Sequence, residues 1–204
     1  MHASAAGIVT KREVMVNGNR EALLQSGLKL FSSSGYVGVS VQEIVDQAGV
    51  SKPTLYHYFG SKLSFYAAIF DVYGESLLGL LQEKCRYSGD LVHHLNTLTQ
   101  SLLDYFLGRE DFFWFLENAY SAPMQSEYEP IVSGFWDALQ APLLDFFEQA
   151  ANHHGNLRGK AMQLTYTYLG MVRIFFTLIM RGKVERTGDL SYRLMHQFMY
   201  GIFS

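Results

Sequence analysis

The residues from Ser51 to Lys62, Ser-Lys-Pro-Thr-Leu-Tyr-His-Tyr-Phe-Gly-Ser-Lys, carry chemistry unlike an ordinary protein surface. On a helix over 52–59, at about 100° per residue, Leu55, Tyr58 and Phe59 gather on one side. Pro53, Thr54, Tyr56 and His57 fall on the other, with Lys52 at its margin. A solvated helix face would show Glu, Lys and Gln; this one shows a hydroxyl, two rings, a flat proline and no acid. Tyr and Thr hydroxyls and a Lys ammonium donate to phosphate oxygens, while Pro and the Thr methyl pack on thymine methyls. Helix N-termini attract phosphate as well, so the amides near Ser51 and Ser61 add to the effect. The pattern suits double-stranded DNA. The bland alternative is that Tyr56 and His57 pack on a neighbouring helix.

Short helices must hold that face in place. Residues 20–33 read as a helix with Leu23, Leu24, Leu28, Leu30 and Phe31 on its apolar side, stopped by Gly35. Ser40-Val41-Gln42-Glu43 is a capping box, and Val41, Ile44, Val45 and Ala48 give the helix behind it one apolar face. Gly49 ends that helix, and only Val50 separates it from the next cap, Ser51. Two short helices joined by such a glycine turn form helix-turn-helix geometry. Pro53 is tolerated in a first turn, where the amide is unpaired anyway. Gly60-Ser61 then breaks the chain before a long fourth helix opening at Lys62.

The whole chain fits this reading. It has 204 residues, of which 49% are apolar and 17% charged, with a formal net charge of −3 and one cysteine. That is enough to bury a sizeable core, and such apolar content with little net charge excludes disorder. A single Cys85 excludes a disulfide scaffold within the chain and points to a reducing cytoplasm. Residues 1–19 lack the apolar block of a signal peptide. Ala161–Met180 is the nearest thing to a membrane span, but Arg173 lies inside it. A charge near the bilayer centre costs about 2.5–3.5 kcal/mol, so a buried or interface helix is expected and no membrane partner. Charge is divided unevenly: residues 1–62 carry six bases against four acids, and the rest ten against fifteen. A basic head on an acidic body matches a small polyanion-binding module joined to something else.

The stretches Arg20–Phe31, "SGY" at 34–36 and "SVQEIVDQAGVSKPTLYHYFGSK" at 40–62 resemble the tetracycline-repressor (TetR/AcrR) family of bacterial transcription regulators. Ala48–Lys62, "AGVSKPTLYHYFGSK", is the specific part, since it sets caps, turn, core and contact residues at fixed offsets. The resemblance covers roughly the first 80 residues and implies an all-α chain in two parts. Residues 1–62 would form an N-terminal arm and a three-helix helix-turn-helix DNA-binding domain. Residues 63–204 would form a helical effector-binding and dimerisation bundle. Carried over by position, the DNA-facing set is Ser40, Gln42, Ser51, Lys52, Pro53, Thr54, Tyr56, His57 and Tyr58, with Lys62 holding a phosphate. Tyr58 is ambiguous, because the wheel turns it inward. Gly27 departs from the family's preferred Ala and costs about 1 kcal/mol of helix stability, leaving room for closer packing.

Beyond Gly60 the sequence reads as helices near 89–107, 110–121, 127–153, 160–181 and 188–202, an all-helical bundle. Aromatic residues crowd it: Phe112, Phe113, Trp114, Phe115 and Tyr120, then Phe135, Trp136, Phe146 and Phe147, then Tyr166, Tyr168, Phe175 and Phe176. Such stripes are most often core. The resemblance implies a pocket for a small, often hydrophobic effector, and Trp114, Trp136, Tyr166 and Phe175 are the expected lining. Arg173 sits among apolar neighbours and needs an acid, solvent or a second subunit. It is either an ion-pair partner or a bidentate anchor for an acidic effector group.

Leu164, Leu169, Met171, Leu178 and Met180, followed by Leu194, Met195, Phe198, Met199, Ile202 and Phe203, make the last two helices apolar on several sides. A homodimer four-helix interface would bury them, and the resemblance implies one. Two recognition helices would then reach successive major grooves, about 34–36 Å apart or a multiple of that. Metal and enzyme chemistry find little support. His93-His94 and His153-His154 are adjacent pairs that point about 100° apart, so neither offers two ligands to one metal. No phosphate loop, G-x-S-x-G elbow or H-E-x-x-H occurs, and no cofactor is expected. The expected function is a repressor that leaves its operator when a small hydrophobic or amphipathic effector binds. The rivals are a sequence-tolerant structural DNA-binding protein without an effector, and a helical small-molecule carrier or enzyme.

Overall fold

The computed structural model describes the backbone of residues 11–201 and the side chains of residues 18–201. The expected N-terminal arm ahead of Lys11, and Ile202 and Phe203 of the expected dimer face, lie outside the described residues. The described chain is helical: α1 (Lys11–Ser34), α2 (Val41–Ala48), α3 (Lys52–Phe59), α4 (Lys62–Lys84), α5 (Leu91–Phe106), α6 (Glu110–Tyr120), α7 (Glu129–His153), α8 (Ala161–Met180) and α9 (Leu190–Tyr200). A single 3-10 turn, Gly155–Leu157, joins α7 to α8. No helix among the described residues is long and apolar enough to cross a membrane.

Helix boundaries follow the chemistry of the punctuating residues. Ser40 Oγ accepts from the Glu43 amide at 3.2 Å while the Glu43 carboxylate accepts from the Ser40 amide at 2.7 Å, so α2 starts with both partners of its capping box in place. Gly49 stops α2 in the left-handed region at φ +68°, a conformation that costs an L side chain energy. The Ser61 hydroxyl accepts from the Ser64 amide at 3.0 Å and caps α4. α1 begins earlier than the apolar periodicity predicts, at Lys11 rather than near residue 20. The apolar residues of the extra turns, Val14, Met15 and Val16, form one consecutive block without the three-to-four-residue spacing that a periodicity reading catches.

Two compact units divide the chain, each with its own core. The first comprises the residues through Tyr73 together with Asp111–Glu129; the second comprises Gly74–Glu110 and the residues from Pro130 onward. A cut after Lys62 is the expectation from sequence, whereas this division falls inside α4 and hands most of α6 to the first unit. In the first unit α1, α2 and α3 pack on one another. Leu23, Leu24 and Phe31 of α1, Ile44 and Val45 of α2, Leu55 of α3 and Phe65, Tyr66 and Ile69 of α4 are all buried there. The aromatic run of α6 completes that core: Phe115 lies 4.7 Å from Phe70 and 5.2 Å from Tyr66, centroid to centroid. Phe112, Phe113 and Phe115 are thus core residues, as aromatic stripes usually are.

In the second unit α5 packs against α8 and α9. The inward row of α8 is Thr165, Tyr168, Val172 and Phe176, the spacing of one helix face. The buried Tyr168 hydroxyl pairs with Thr99 Oγ1 of α5 at 3.0 Å, which satisfies both groups away from water. Phe146, Phe147 and Phe176 are buried in this core.

Gly27 has a role the fold makes plain. A Cβ there would sit 2.4 Å from Phe65 Cζ and 3.1 Å from Ile69 Cδ1, both on buried side chains of α4. The bare backbone therefore lets α1 meet α4 at close range, which compensates for the helix propensity it gives up. Gly27→Ala gains about 1 kcal/mol of propensity but overpacks a tight contact costing about 1–3 kcal/mol. It should lower the melting temperature by a few degrees in a thermal scan; an unchanged or higher value would mean the ring moves freely. Glu43 supplies a pH dependence: the backbone and side-chain hydrogen bonds from Ser40 hold its carboxyl below the usual range. Its contribution is complete above the unfolded value near 4.3 and is lost as pH falls through the lower folded value. Glu43→Gln should therefore melt below the wild type at neutral pH, and the gap should close as the pH is lowered through that range.

Candidate nucleic-acid interface

An eight-residue helix cannot choose its own rotation; its anchor does. Leu55 is 0% exposed, and that burial fixes which side of α3 faces out. Tyr56 is 47% exposed, and Ser51, Lys52, Pro53 and His57 are exposed as well, with Thr54 half-buried. The outward side is the one that helical spacing predicts, and it is not packed against the unit's interior. Tyr58 and Phe59 are half-buried and face their neighbours: Tyr58 lies 5.5 Å from His57, and Phe59 lies 4.8 Å from Phe65. The ambiguity over Tyr58 resolves as a flanking residue, partly turned in.

Polar groups at the start of α3 are pre-set. Ser51 Oγ and Thr54 Oγ1 lie 2.9 Å apart and share one hydrogen, which leaves the second hydroxyl hydrogen for a partner outside the helix. The first turn of α3 contains no acid, so the positive end of its dipole is unopposed by side-chain charge. In α2, Ser40 is occupied by its cap, and the exposed Gln42 donates from Nε2 to Asp46 at 2.6 Å, leaving its carbonyl oxygen as the outward acceptor. The exposed side of α3 carries no acid, whereas on α2 the exposed Glu43 and Asp46 flank Gln42.

Lys62, the phosphate-holding residue that the resemblance implies, makes contacts within its own unit. Its ammonium donates to the Tyr36 carbonyl at 2.6 Å and rests 4.2 Å from the centre of the Tyr36 ring. Burial lowers its pKa, against the pull of Glu127 and Glu43. Tyr36 in turn donates from its hydroxyl to Glu127 at 2.8 Å, and its ring lies 4.4 Å from that of Tyr128 at a tilt of 35°. Burial, and then the Glu127 carboxylate, raise the Tyr36 pKa far above its usual value. Tyr36 belongs to the recognised "SGY" motif, but Glu127 lies 91 residues away and no local pattern announces it.

The expected effector lining is divided between the two units of the chain. Trp114 lies on α6 in the first unit, while Trp136, Tyr166, Arg173 and Phe175 lie in the second. Trp136, Arg173 and Phe175 are half-buried. Tyr166 is 54% exposed and sits in an outward row of α8 with Met162 and Ile174, about 100° round the helix from the buried Thr165. An open cleft of about 630 Å³ lies elsewhere in the second unit, between the end of α4 and the middle of α7. It is bordered by Gln82, Arg86, Tyr87, Asp145 and Gln149, with Cys85 and Pro142 among its other walls, and none of the five expected residues lines it. Pro142 has no N–H, so the Ala138 carbonyl in the same cleft lacks its helical partner. The Cys85 thiol is pushed up to about 12 by burial and by Asp145, which argues against a reactive thiolate. No group of three or more metal-ligating side chains occurs among the described residues.

Comparison with known proteins agrees with this geometry. Residues 23–69 match the family profile described as bacterial regulatory proteins, tetR family. The HTH-type transcriptional activator FasR of Mycolicibacterium smegmatis is 33% identical over 86 residues, 42% of this chain and 39% of that protein. The HTH-type transcriptional regulator RutR of Escherichia coli K12 is 36% identical over 69 residues, 34% of this chain and 32% of its own. The matched stretches thus span well under two thirds of these relatives. Among solved structures, FadR of Bacillus subtilis in complex with stearoyl-CoA superposes with a TM-score of 0.73 at 14% identity, covering 89% of this chain and 98% of that one. PfmR of Thermus thermophilus, a TetR family transcriptional regulator, gives 0.68 at 21% identity, covering 89% and 99%. At such identities the likeness is one of fold. Residues 23–69 therefore match the tetR family of bacterial regulatory proteins, on a chain whose fold is that of solved regulators of this kind.

Proposed function

We propose that the protein is a ligand-responsive, DNA-binding transcriptional regulator. In this reading it is a homodimeric repressor that releases its operator when a small hydrophobic or amphipathic effector binds. The exposed strip of Ser51, Lys52, Pro53, Thr54, Tyr56 and His57, held outward by buried Leu55, is the observation that carries this. Ser40, Gln42 and Tyr58 flank it and make up the rest of the DNA-facing set. Repression needs only that an operator be occupied, and the strip supplies what occupation requires: hydroxyls and an ammonium for phosphates, and apolar groups for base edges.

Residues 1–62 serve in this reading as the DNA-binding domain, and 63–204 as the effector and dimerisation domain. The outward faces of α8 and α9 support self-association, because Met162, Tyr166, Ile174, Tyr192 and Tyr200 are exposed large side chains on the last two helices. Tyr166 then serves the dimer face rather than a pocket. Trp114, Trp136, Phe175 and Arg173 remain candidates for the effector. Buried oxygens in the second unit support a polar contact inside a mainly apolar site: among the described residues, Thr165 Oγ1 and Asn96 Oδ1 have no hydrogen-bond partner. An effector hydroxyl, amide or acid group would satisfy them. Its binding would shift a dimer equilibrium toward a state whose recognition helices miss the groove spacing.

A mobility shift tests the reading, using a duplex that the wild-type chain selects from a random-sequence pool. Binding should weaken with salt and discriminate against scrambled sequence by at least about a thousandfold; indifference to sequence would favour a structural role. Lys52→Ala should lower the slope of log affinity against log salt by about one, and Tyr56→Ala should weaken binding without dissociating the dimer. Amphipathic probes such as oleate and stearoyl-CoA should release the duplex if the effector class is right. Arg173→Met separates the two readings of that residue: an unchanged response to the releasing probe with altered dimer stability makes it an ion-pair partner.

A further inference from the structure

The helix-turn-helix segment Val41–Phe59 is bracketed by two residues that touch each other. Tyr36 stands in the turn before α2, and Lys62 opens α4 directly after the Gly60-Ser61 break that ends α3. The Lys62 ammonium donates to the Tyr36 carbonyl and lies over the Tyr36 ring. One bond, spanning 26 residues of chain, thus closes the segment at both ends. A third residue completes the arrangement: Glu127 accepts the Tyr36 hydroxyl, while Tyr128 and Tyr66 pack on the same ring at 4.4 and 4.9 Å. Glu127 lies two residues before α7 begins at Glu129, and the chain enters the second unit at Pro130.

We propose that Lys62, Tyr36 and Glu127 form a brace that sets the orientation of α3, with Lys62 acting as a positioning residue rather than a phosphate ligand. Glu127 makes the brace answerable to whatever moves the start of α7. The inference rests on the DNA-binding reading and adds to it how the reading surface is held. Charge assists all three members. The carboxylate of Glu127 draws on the Lys62 ammonium, and a charge-assisted acceptor for the Tyr36 hydroxyl is stronger than a neutral one. A lysine committed to a carbonyl and a ring gives up hydration and reach, which fits an internal strut better than a mobile hand for DNA.

Salt dependence separates the two roles, because each phosphate contact adds about 0.9 to the slope of log affinity against log salt. The full-length chain is titrated with its selected duplex at several salt concentrations. Lys62→Met should weaken binding at every concentration and leave the slope at the wild-type value. Tyr36→Phe, which keeps the ring and the carbonyl, and Glu127→Gln should each weaken binding roughly five- to tenfold, again at constant slope. The Tyr36→Phe and Glu127→Gln effects should also fail to add in the double variant, since the first removes the bond whose charge assistance the second takes away. A Lys62→Met slope lower by about one would make Lys62 a phosphate ligand and overturn the proposal, as would additive or silent Tyr36→Phe and Glu127→Gln variants.

Amide hydrogen exchange without DNA gives a second readout. In Tyr36→Phe, amides of residues 52–59 and 121–129 should become less protected together. Unchanged protection at 52–59 would also overturn the brace. Should the wild type select no duplex, the DNA-binding reading fails, while the exchange measurement still decides whether the brace holds α3.

Discussion

Everything the exposed strip can do depends on burying Leu55. A helix of two turns is marginal in water, because nucleation consumes most of what its few hydrogen bonds return. Its rotation is therefore dictated by the one side chain that the core accepts. With Leu55 inside, spacing alone sends Tyr56 and His57 to solvent and leaves Tyr58 and Phe59 along the rim. The glycines on either side of α3 release the chain at both ends: Gly49 at φ +68° and Gly60 at φ +74° turn in ways that other residues resist. The outward set on α3 is a by-product of packing, since the residues that face out are those left over once one leucine has been satisfied.

Local signals make this part of the fold legible in the sequence. Capping boxes, left-handed glycines and apolar periodicity act over four to seven residues, and they define α2, the turn, α3 and the opening of α4. The later helices follow by the same means to within a few residues, because Gly89, Pro123, Gly155 and Gly188 punctuate them. The start of α1 escapes such a reading because its first turns present no apolar stripe.

What sequence does not reveal is which distant segments share a core. The run Phe112–Phe115 reads the same whether its rings line a cavity or fill an interior. Only its place beside Tyr66 and Phe70 shows that it completes the first unit. Lys62 illustrates the limit at a single atom. Its position by motif is unambiguous, yet its partners, Tyr36 and Glu127, are set by a fold that brings residue 127 back to residue 36. Tyr166 shows the same limit from the other side. An aromatic on a mostly apolar helix looks like lining, but a rotation of one residue from Thr165 puts it on the outside.

Two glycines among the described residues lie against rings. A Cβ on Gly27 would come within 2.4 Å of Phe65, and one on Gly74 within 2.4 Å of Phe135. Each pair behaves as one heritable character written at two positions. A larger residue at either glycine can become fixed in a lineage only after its ring has shrunk, and the shrunken ring alone leaves a void. Both orders pass through a weaker intermediate, so drift at these four positions should be slow and correlated.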